Sequence, residues 1–330
     1  MHSEKKETRD WKNGILFGVP ISSNFPFIIN LPECHREPQL RISVESSEAR
    51  LTVTEEPIYD SANAGATAAP RVRAFRKSGW YELWISGVGR YRIGPSRILC
   101  FPATEDWATL EVHLLGTAFS FWLELSGRLC LHAASLVLKN RAILLLGGNG
   151  SGKTTLAVEC LRNGCPLVSD DISSISHKDS TWFVHPSYPQ LRLWPEAVAR
   201  LGLDSLELRR VLPGTDKRRV PVGPTGLGYL HPEKIPLAAA FVLQRLPSDQ
   251  QLNVGRIRSG EALFTLTENS FLRRLPRSVG LEVSRFERFA DLVSQVPVFQ
   301  FAYPEGIDQL GDAFLALERH VLGLTSPDNS

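Results

Sequence analysis

Between residues 11 and 102 short apolar runs alternate with Gly, Pro, Ser and Asn, and six of them have strand length: 15–20, 39–44, 51–54, 71–75, 80–85 and 91–93. The pattern predicts a small β-rich domain over residues 1–105. Within it, residues 61–70 are small and have nothing to bury, which predicts a loop. The period then changes. Leu110, Leu114, Leu115, Ala118, Phe119, Trp122 and Leu123 recur at helical spacing, with Thr104 or Asp106 as the cap and Gly127 as the stop. They predict a helix over 106–127 that bridges to a second domain at 128–330.

In that second domain two apolar strands, 129–138 and 142–146, are joined at Lys139-Asn140. A glycine-rich loop and a helix over 153–162 follow, then an apolar strand at 166–169 ending in Asp170-Asp171. Further on come a Pro-started helix at 195–201, a strand at 237–243, amphipathic helices near 261–273 and 281–296, a strand at 298–301 and a last helix to about 322. Strands interleaved with helices give an α/β class.

Composition narrows the partners. The 330 residues are 43% hydrophobic, enough for two ordinary cores, and the formal net charge of +2 gives no global field that marks a nucleic-acid or membrane binder. Five cysteines (Cys34, Cys100, Cys130, Cys160, Cys165) are odd in number and lack CxxC spacing, which argues against a disulfide framework or zinc site and for a reducing cytoplasm. No apolar run approaches the ~18 residues of a membrane span. The polar, mixed-charge N-terminus gives no export signal.

One motif carries chemistry. Gly147, Gly148, Asn149, Gly150, Ser151, Gly152, Lys153 and Thr154 satisfy GxxxxGK[ST], with a strand before and a helix after beginning at Thr155. Glycines let successive N–H groups turn toward a phosphate, and the helix N-terminus adds partial positive charge. Lys153 is expected to neutralise β- and γ-phosphates and the Thr154 hydroxyl to coordinate Mg²⁺, so ATP and Mg²⁺ are the expected ligands. The strand ending at Asp170-Asp171 should run parallel to the loop strand and bring both carboxylates to the phosphates, one for Mg²⁺ and one to accept a proton. A solvated turn is the competing account of the pair. If Lys139-Asn140 is a two-residue hairpin turn, His132 opposes Gly147, beside the reacting phosphate. Its plainer alternative is a satisfied core histidine.

Leu131-His132-Ala133-Ala134-Ser135, the loop through Thr155, and Leu167-Val168-Ser169-Asp170-Asp171 together resemble the catalytic core of the HPr kinase/phosphorylase family. The resemblance implies a phosphoenolpyruvate-carboxykinase-like P-loop core and transfer of phosphate from ATP to a serine of a carrier protein. Asp170 would be the general base, Lys153 and Thr154 the phosphate and Mg²⁺ contacts, and His132 a neighbour of the base, which leaves Asp171 as the carboxylate of the pair expected to hold Mg²⁺. Two departures stand out. Thr155 replaces the acidic residue usual in members that act on HPr, and Gln190-Leu191-Arg192-Leu193-Trp194-Pro195 stands where they carry an EIRGLG-like signature. The chain is in this respect similar to divergent HPr-kinase-like proteins found beside lasso-peptide and similar biosynthetic clusters, which points to a serine-bearing peptide or protein acceptor rather than HPr.

A small-molecule hydroxyl kinase and a non-catalytic ATP-binding regulatory module remain the alternatives, and a homo-oligomer is left open. The basic residues Arg209, Arg210, Lys217, Arg218 and Arg219 read either as a solvated loop or as a hold on an acidic substrate. Arg192 beside Trp194 is a further candidate, with Trp194 alternatively anchoring the helix that starts at Pro195.

Overall fold

The computed structural model describes residues 10–46, 55–62 and 70–325. The strand expected at 51–54 and most of the loop expected at 61–70 lie outside the described residues. The chain is mixed α/β with several sheets, and it divides into two compact units, 1–122 and 123–330. The division falls inside the segment expected to bridge two domains.

In the first unit the strands are β1 (Lys12–Leu16), β2 (Val19–Ser23), β3 (Leu40–Val44), β4 (Tyr59–Asp60), β5 (Val72–Lys77), β6 (Trp80–Ile85), β7 (Gly89–Ile93) and β8 (Arg97–Pro102). They form one sheet in the order β1-β2-β3-β8-β7-β6-β5-β4. The run at 15–20 is not a single strand: Phe17 and Gly18, both at positive φ, turn it into a β1–β2 hairpin. Helix α1 (Trp107–His113) starts where Asp106 accepts the Ala108 N–H at 3.0 Å, and its Leu110 carbonyl accepts the buried Tyr91 hydroxyl at 2.9 Å. The expected single helix is broken by a π-helical turn, Leu114–Ala118, in which Phe119 N–H reaches back to the Leu114 carbonyl. Regular winding resumes in α2 (Phe119–Leu125), and Gly127 at φ 82° ends it.

The second unit is built on β9 (Leu129–Leu131), β10 (Ala134–Leu138), β11 (Arg141–Leu146), helix α3 (Lys153–Arg162), β12 (Leu167–Ser169), β13 (Ser173–Lys178), β14 (Thr181–His185), β15 (Gln190–Leu193) and helix α4 (Pro195–Arg200). It continues with β16 (Arg218–Pro221), β17 (Ile235–Leu246), β18 (Asn253–Arg256), α5 (Ser259–Glu268), α6 (Leu275–Ser278), α7 (Glu282–Gln295), β19 (Val298–Pro304) and α8 (Leu310–Thr325). The main sheet runs β12-β10-β11-β17-β14-β13-β9, with β19 beside β17 and β18 beyond it. β10 is antiparallel to both β11 and β12, so β11 and β12 point the same way with their C-terminal ends on one edge.

β11 is apolar at every position after Arg141 because both its faces are covered. Ile143 and Leu145 enter a core with α3 and α8, while Ala142, Leu144 and Leu146 enter a second one with α5 and α7. Outside the apolar clusters, Glu124 is closed off from solvent and accepts the Cys130 N–H at 3.1 Å and Arg285 Nε at 2.9 Å. Burial pushes its pKa up, and Arg285 with the Cys130 N–H pulls it back. Arg285→Ala should therefore cost about 3–5 kcal/mol in urea unfolding, since it strands a buried carboxylate. A loss below about 1 kcal/mol would mean that the pair behaves as a solvated one.

Candidate active site

The glycine-rich loop bridges β11 and α3, and its backbone explains its glycines. Gly147, Gly150 and Gly152 sit at φ 137°, 80° and 96°, which L side chains rarely adopt. At Gly152 a Cβ would also overlap the Tyr303 hydroxyl and press on Arg245. Lys153, the first residue of α3, is 9% exposed and donates from Nζ to the carbonyls of Gly147 (2.7 Å) and Gly148 (3.1 Å), along the inner rim of the loop. Burial lowers its pKa, with Asp170 and Asp171 opposing.

Both aspartates lie at the C-terminal end of β12, on the edge where the loop begins. They are not equivalent. Asp170 is 4% exposed; its Oδ1 accepts the Thr154 hydroxyl at 3.0 Å and its Oδ2 the Arg192 backbone N–H at 2.9 Å. Burial first, and then the charge of Asp171, push its pKa up to about 6. Asp171, at φ 70°, accepts Arg192 Nη1 at 2.8 Å on Oδ2, and its Oδ1 is 3.4 Å from His132 Nδ1. Burial opposes its ionisation, but Arg192, His132, Lys217 and Lys153 together hold its pKa below the usual carboxylate range.

His132 reaches this pair by another route than the expected one. The Lys139-Asn140 turn forms, with both residues at positive φ, and the ladder keeps that register back to Ala134 opposite Leu145. There the pairing stops. The expected strand 129–138 breaks at His132 and Ala133, and β9 pairs with β13 instead. Buried hydroxyls fix the break: Ser135 and Ser173 each bond Ser169 (2.6 and 2.7 Å), and Ser173 donates to the Ala133 carbonyl at 3.2 Å. His132 therefore faces Asn269 rather than Gly147. Its N–H donates to the Asn269 carbonyl at 2.7 Å, and Asn269 Oδ1 accepts Gly147 N–H at 3.2 Å. Nδ1 lies 3.0 Å from the Asp171 carbonyl, and with two oxygen acceptors around it Nδ1 carries a ring proton. Burial lowers the pKa of His132, Asp171 raises it, and Lys153 and Lys217 lower it further.

An open cleft of about 270 Å³ connects these groups. His132, Asn149, Gly150, Gly152, Lys153, Thr154, Thr155, Asp170 and Asp171 all line it, and Gly147, Gly148 and Ser151 complete the loop behind. Trp194 is 48% exposed and lines the cleft, so it does not anchor α4 in the core. The basic run separates into three roles. Lys217 lines the cleft with Nζ 5.3 Å from the Trp194 ring, Arg219 is buried on Gln190 and the Val211 carbonyl, and Arg210 pairs with Asp216 at 3.1 Å.

Among the described residues, no cluster of three or more His, Cys, Asp or Glu could hold a metal. A hard cation here would need phosphate oxygens and water beside one or two side chains, which is the habit of Mg²⁺. The oxygens of Thr154, Asp170 and Asp171 are of that kind, and Lys153 is a cation on the rim of the glycine-rich loop. The residues thus fit a Mg²⁺-nucleotide.

Sequence reasoning singled out the loop, the aspartates and His132, which all line this cleft or its loop, and gave Arg192 only a minor place. Asn269 it missed, because the helix expected near 261–273 takes it as one more helical residue, whereas α5 ends at Glu268 and Asn269 is its C-cap. Tyr303, Arg245 and Lys217 come to the cleft from separate strands and loops that no local spacing connects. No helix among the described residues is long and apolar enough to cross a membrane.

No family model matches the chain, and no curated protein does. Among solved structures it is similar to the HPr(Ser) kinase/phosphatase of Coxiella burnetii, at 13% identity over 60% of this chain and 99% of that one, with a TM-score of 0.32. That is a distant structural likeness to an HPr kinase, too low in score to carry any assignment of chemistry, which rests on this chain's own residues.

Proposed function

We propose that this chain is an ATP- and Mg²⁺-dependent phosphotransferase that moves the γ-phosphate to a serine-type hydroxyl of a peptide or protein. The observation that carries the reading is the Thr154–Asp170 hydrogen bond. It ties the residue after the loop lysine to a buried carboxylate at the end of β12, so that Lys153, Thr154 and both aspartates share one cleft, which supports the reading. The loop amides and Lys153 bind and orient the phosphates. Mg²⁺, when bound, would neutralise charge on the β- and γ-phosphate oxygens. Asp170, with a pKa near 6, can take the proton of the attacking hydroxyl at neutral pH. His132 and Arg192 hold the neighbouring Asp171 in place.

The same hydrogen bond favours a second division of labour, in which Asp170 with Thr154 faces the metal and Asp171 beside His132 is the base. The two versions differ in what Asp171→Asn does: it raises the Mg²⁺ requirement in the first and removes transfer in the second.

The direct test incubates the protein with Mg²⁺ and ATP labelled in the γ-phosphate, together with serine-bearing peptides and small hydroxyl compounds. We expect Mg²⁺-dependent labelling that appears as phosphoserine on peptide. Label only on a small compound would move the assignment to a small-molecule kinase. ATP binding without any transfer would move it to a regulatory module.

A further inference from the structure

The N-terminal unit carries a charged face that the phosphotransferase reading leaves unused. Cross-strand register places Arg73, Trp84, Arg90 and Phe101 in one row over β5, β6, β7 and β8, and Phe75, Glu82, Arg92 and Leu99 in the next row on the same face. The opposite face, represented by Ala74, Leu83, Tyr91 and Cys100, is fully buried core.

On the charged face guanidinium groups cover aromatic rings. Arg73 and Arg90 lie 5.4 and 5.7 Å from the Trp84 ring centre, and Arg90 lies 5.0 Å from Phe101. Arg92 is 4.2 Å from Trp80. Among the described residues, Glu82 is the carboxylate that this face sets between Arg90 and Arg92. Glu82 is 3% exposed, accepts Trp84 Nε1 at 2.6 Å and stands 3.4 Å from both Arg90 and Arg92. At the flanks Arg71 pairs with Asp60, which also feels Arg73, and Lys77 pairs with Glu55, so these add no net charge. The side chains of Arg90 and Arg92 are 16% and 22% exposed, so much of their hydration is already lost. A cleft of about 210 Å³ opens between Arg73 and Arg90 beside Trp84 and Phe101.

We propose that this face docks an acidic peptide segment, with Arg73 and Arg90 each taking a carboxylate and the cleft taking an apolar side chain between them. Both guanidinium groups lie within cation–π range of the Trp84 ring, which restrains them while their N–H groups can still donate to a carboxylate. Two strand spacings separate Arg73 from Arg90, roughly 10 Å, which matches acidic residues three apart in a peptide of polyproline II form, whose three residues per turn at ~3.1 Å each put them on one side. A nucleic acid fits less well, because the rings that would stack a base are already covered by guanidinium groups. The proposal does not depend on the phosphotransferase reading, since no residue of the cleft around Lys153 takes part.

Fluorescence polarisation on the full chain tests it, using a fluorescein-labelled decapeptide with Glu at every third position and its Gln counterpart. The Glu peptide should bind at least about tenfold tighter and weaken with added salt. Arg90→Glu and Arg73→Glu should each weaken it at least about tenfold, while Arg90→Lys, which keeps the charge and loses the planar fork, should fall between. Far-UV circular dichroism checks that the variants fold. If Arg90→Glu does not fold, Arg73→Gln serves instead. Equal binding of the Glu and Gln peptides, unchanged binding by folded variants, or an equally tight oligothymidylate would overturn the proposal.

Discussion

Replacing Asp170 by asparagine is expected to abolish phosphoryl transfer while ATP affinity stays within about threefold of the parent, since general-base catalysis contributes roughly 10²–10⁴ in rate and little in binding. The amide keeps the shape, and its oxygen can still accept the Thr154 hydroxyl or the Arg192 N–H that the carboxylate holds now. It cannot take a proton. The parent protein should show the same group in its pH profile: with a pKa of about 6, raised by burial and by Asp171, the Asp170 carboxylate is ionised above that value. Transfer should therefore fall as pH drops through about 6. Stability should move the other way. A folded-state pKa raised above 3.8 means that the stability this group contributes is fully present below 3.8 and is lost as pH rises through about 6. Asp170→Asn should accordingly raise the melting temperature at pH 7.5 and raise it less at pH 5, a sign of a carboxylate kept charged at a cost to stability. Near-normal transfer by a folded Asp170→Asn protein would place the base elsewhere, with Asp171 beside His132 the first candidate.

The parts of this molecule that local spacing encodes were legible in the sequence. The loop from Gly147 to Thr154 is spelled out in adjacent residues, and the apolar run of β11 and the helical period of α3 follow from what each must bury. The limits of the first-unit strands were harder to read, because a residue at positive φ such as Phe17 gives no sign in the one-dimensional pattern. His132 shows the same limit in the site. Hairpin arithmetic was right as far as Ala134, but it could not foresee that Ser135, Ser169 and Ser173 would meet and divert the chain two residues earlier. Arg192 was visible only as a neighbour of Trp194, although it bonds both aspartates, because its partners lie 21 and 22 positions away. Such pairings are set by tertiary register, which no window of local sequence contains.

Lys153→Ala is expected to weaken MgATP binding by about 10- to 100-fold, the loss that follows when charge-assisted contacts to phosphate disappear. The lysine sits at the first position of α3, where Gly152 at φ 96° turns the chain, so its ammonium stays at the loop rim rather than in solvent. With nucleotide present, the phosphates would replace the carbonyls of Gly147 and Gly148 as its acceptors, exchanging neutral partners for charged ones. That exchange should make the substitution far more costly for binding than for folding. The variant removes two hydrogen bonds to carbonyls near open cleft, which water can satisfy, so its melting temperature without ATP should shift by only a few degrees. Calorimetric titration with MgATP, set beside thermal unfolding in its absence, separates the two effects. Equal affinity in a folded variant would mean that the loop does not hold phosphate, and the phosphotransferase reading would go with it. A large drop in melting temperature without ATP would instead mark Lys153 as a strut of the loop.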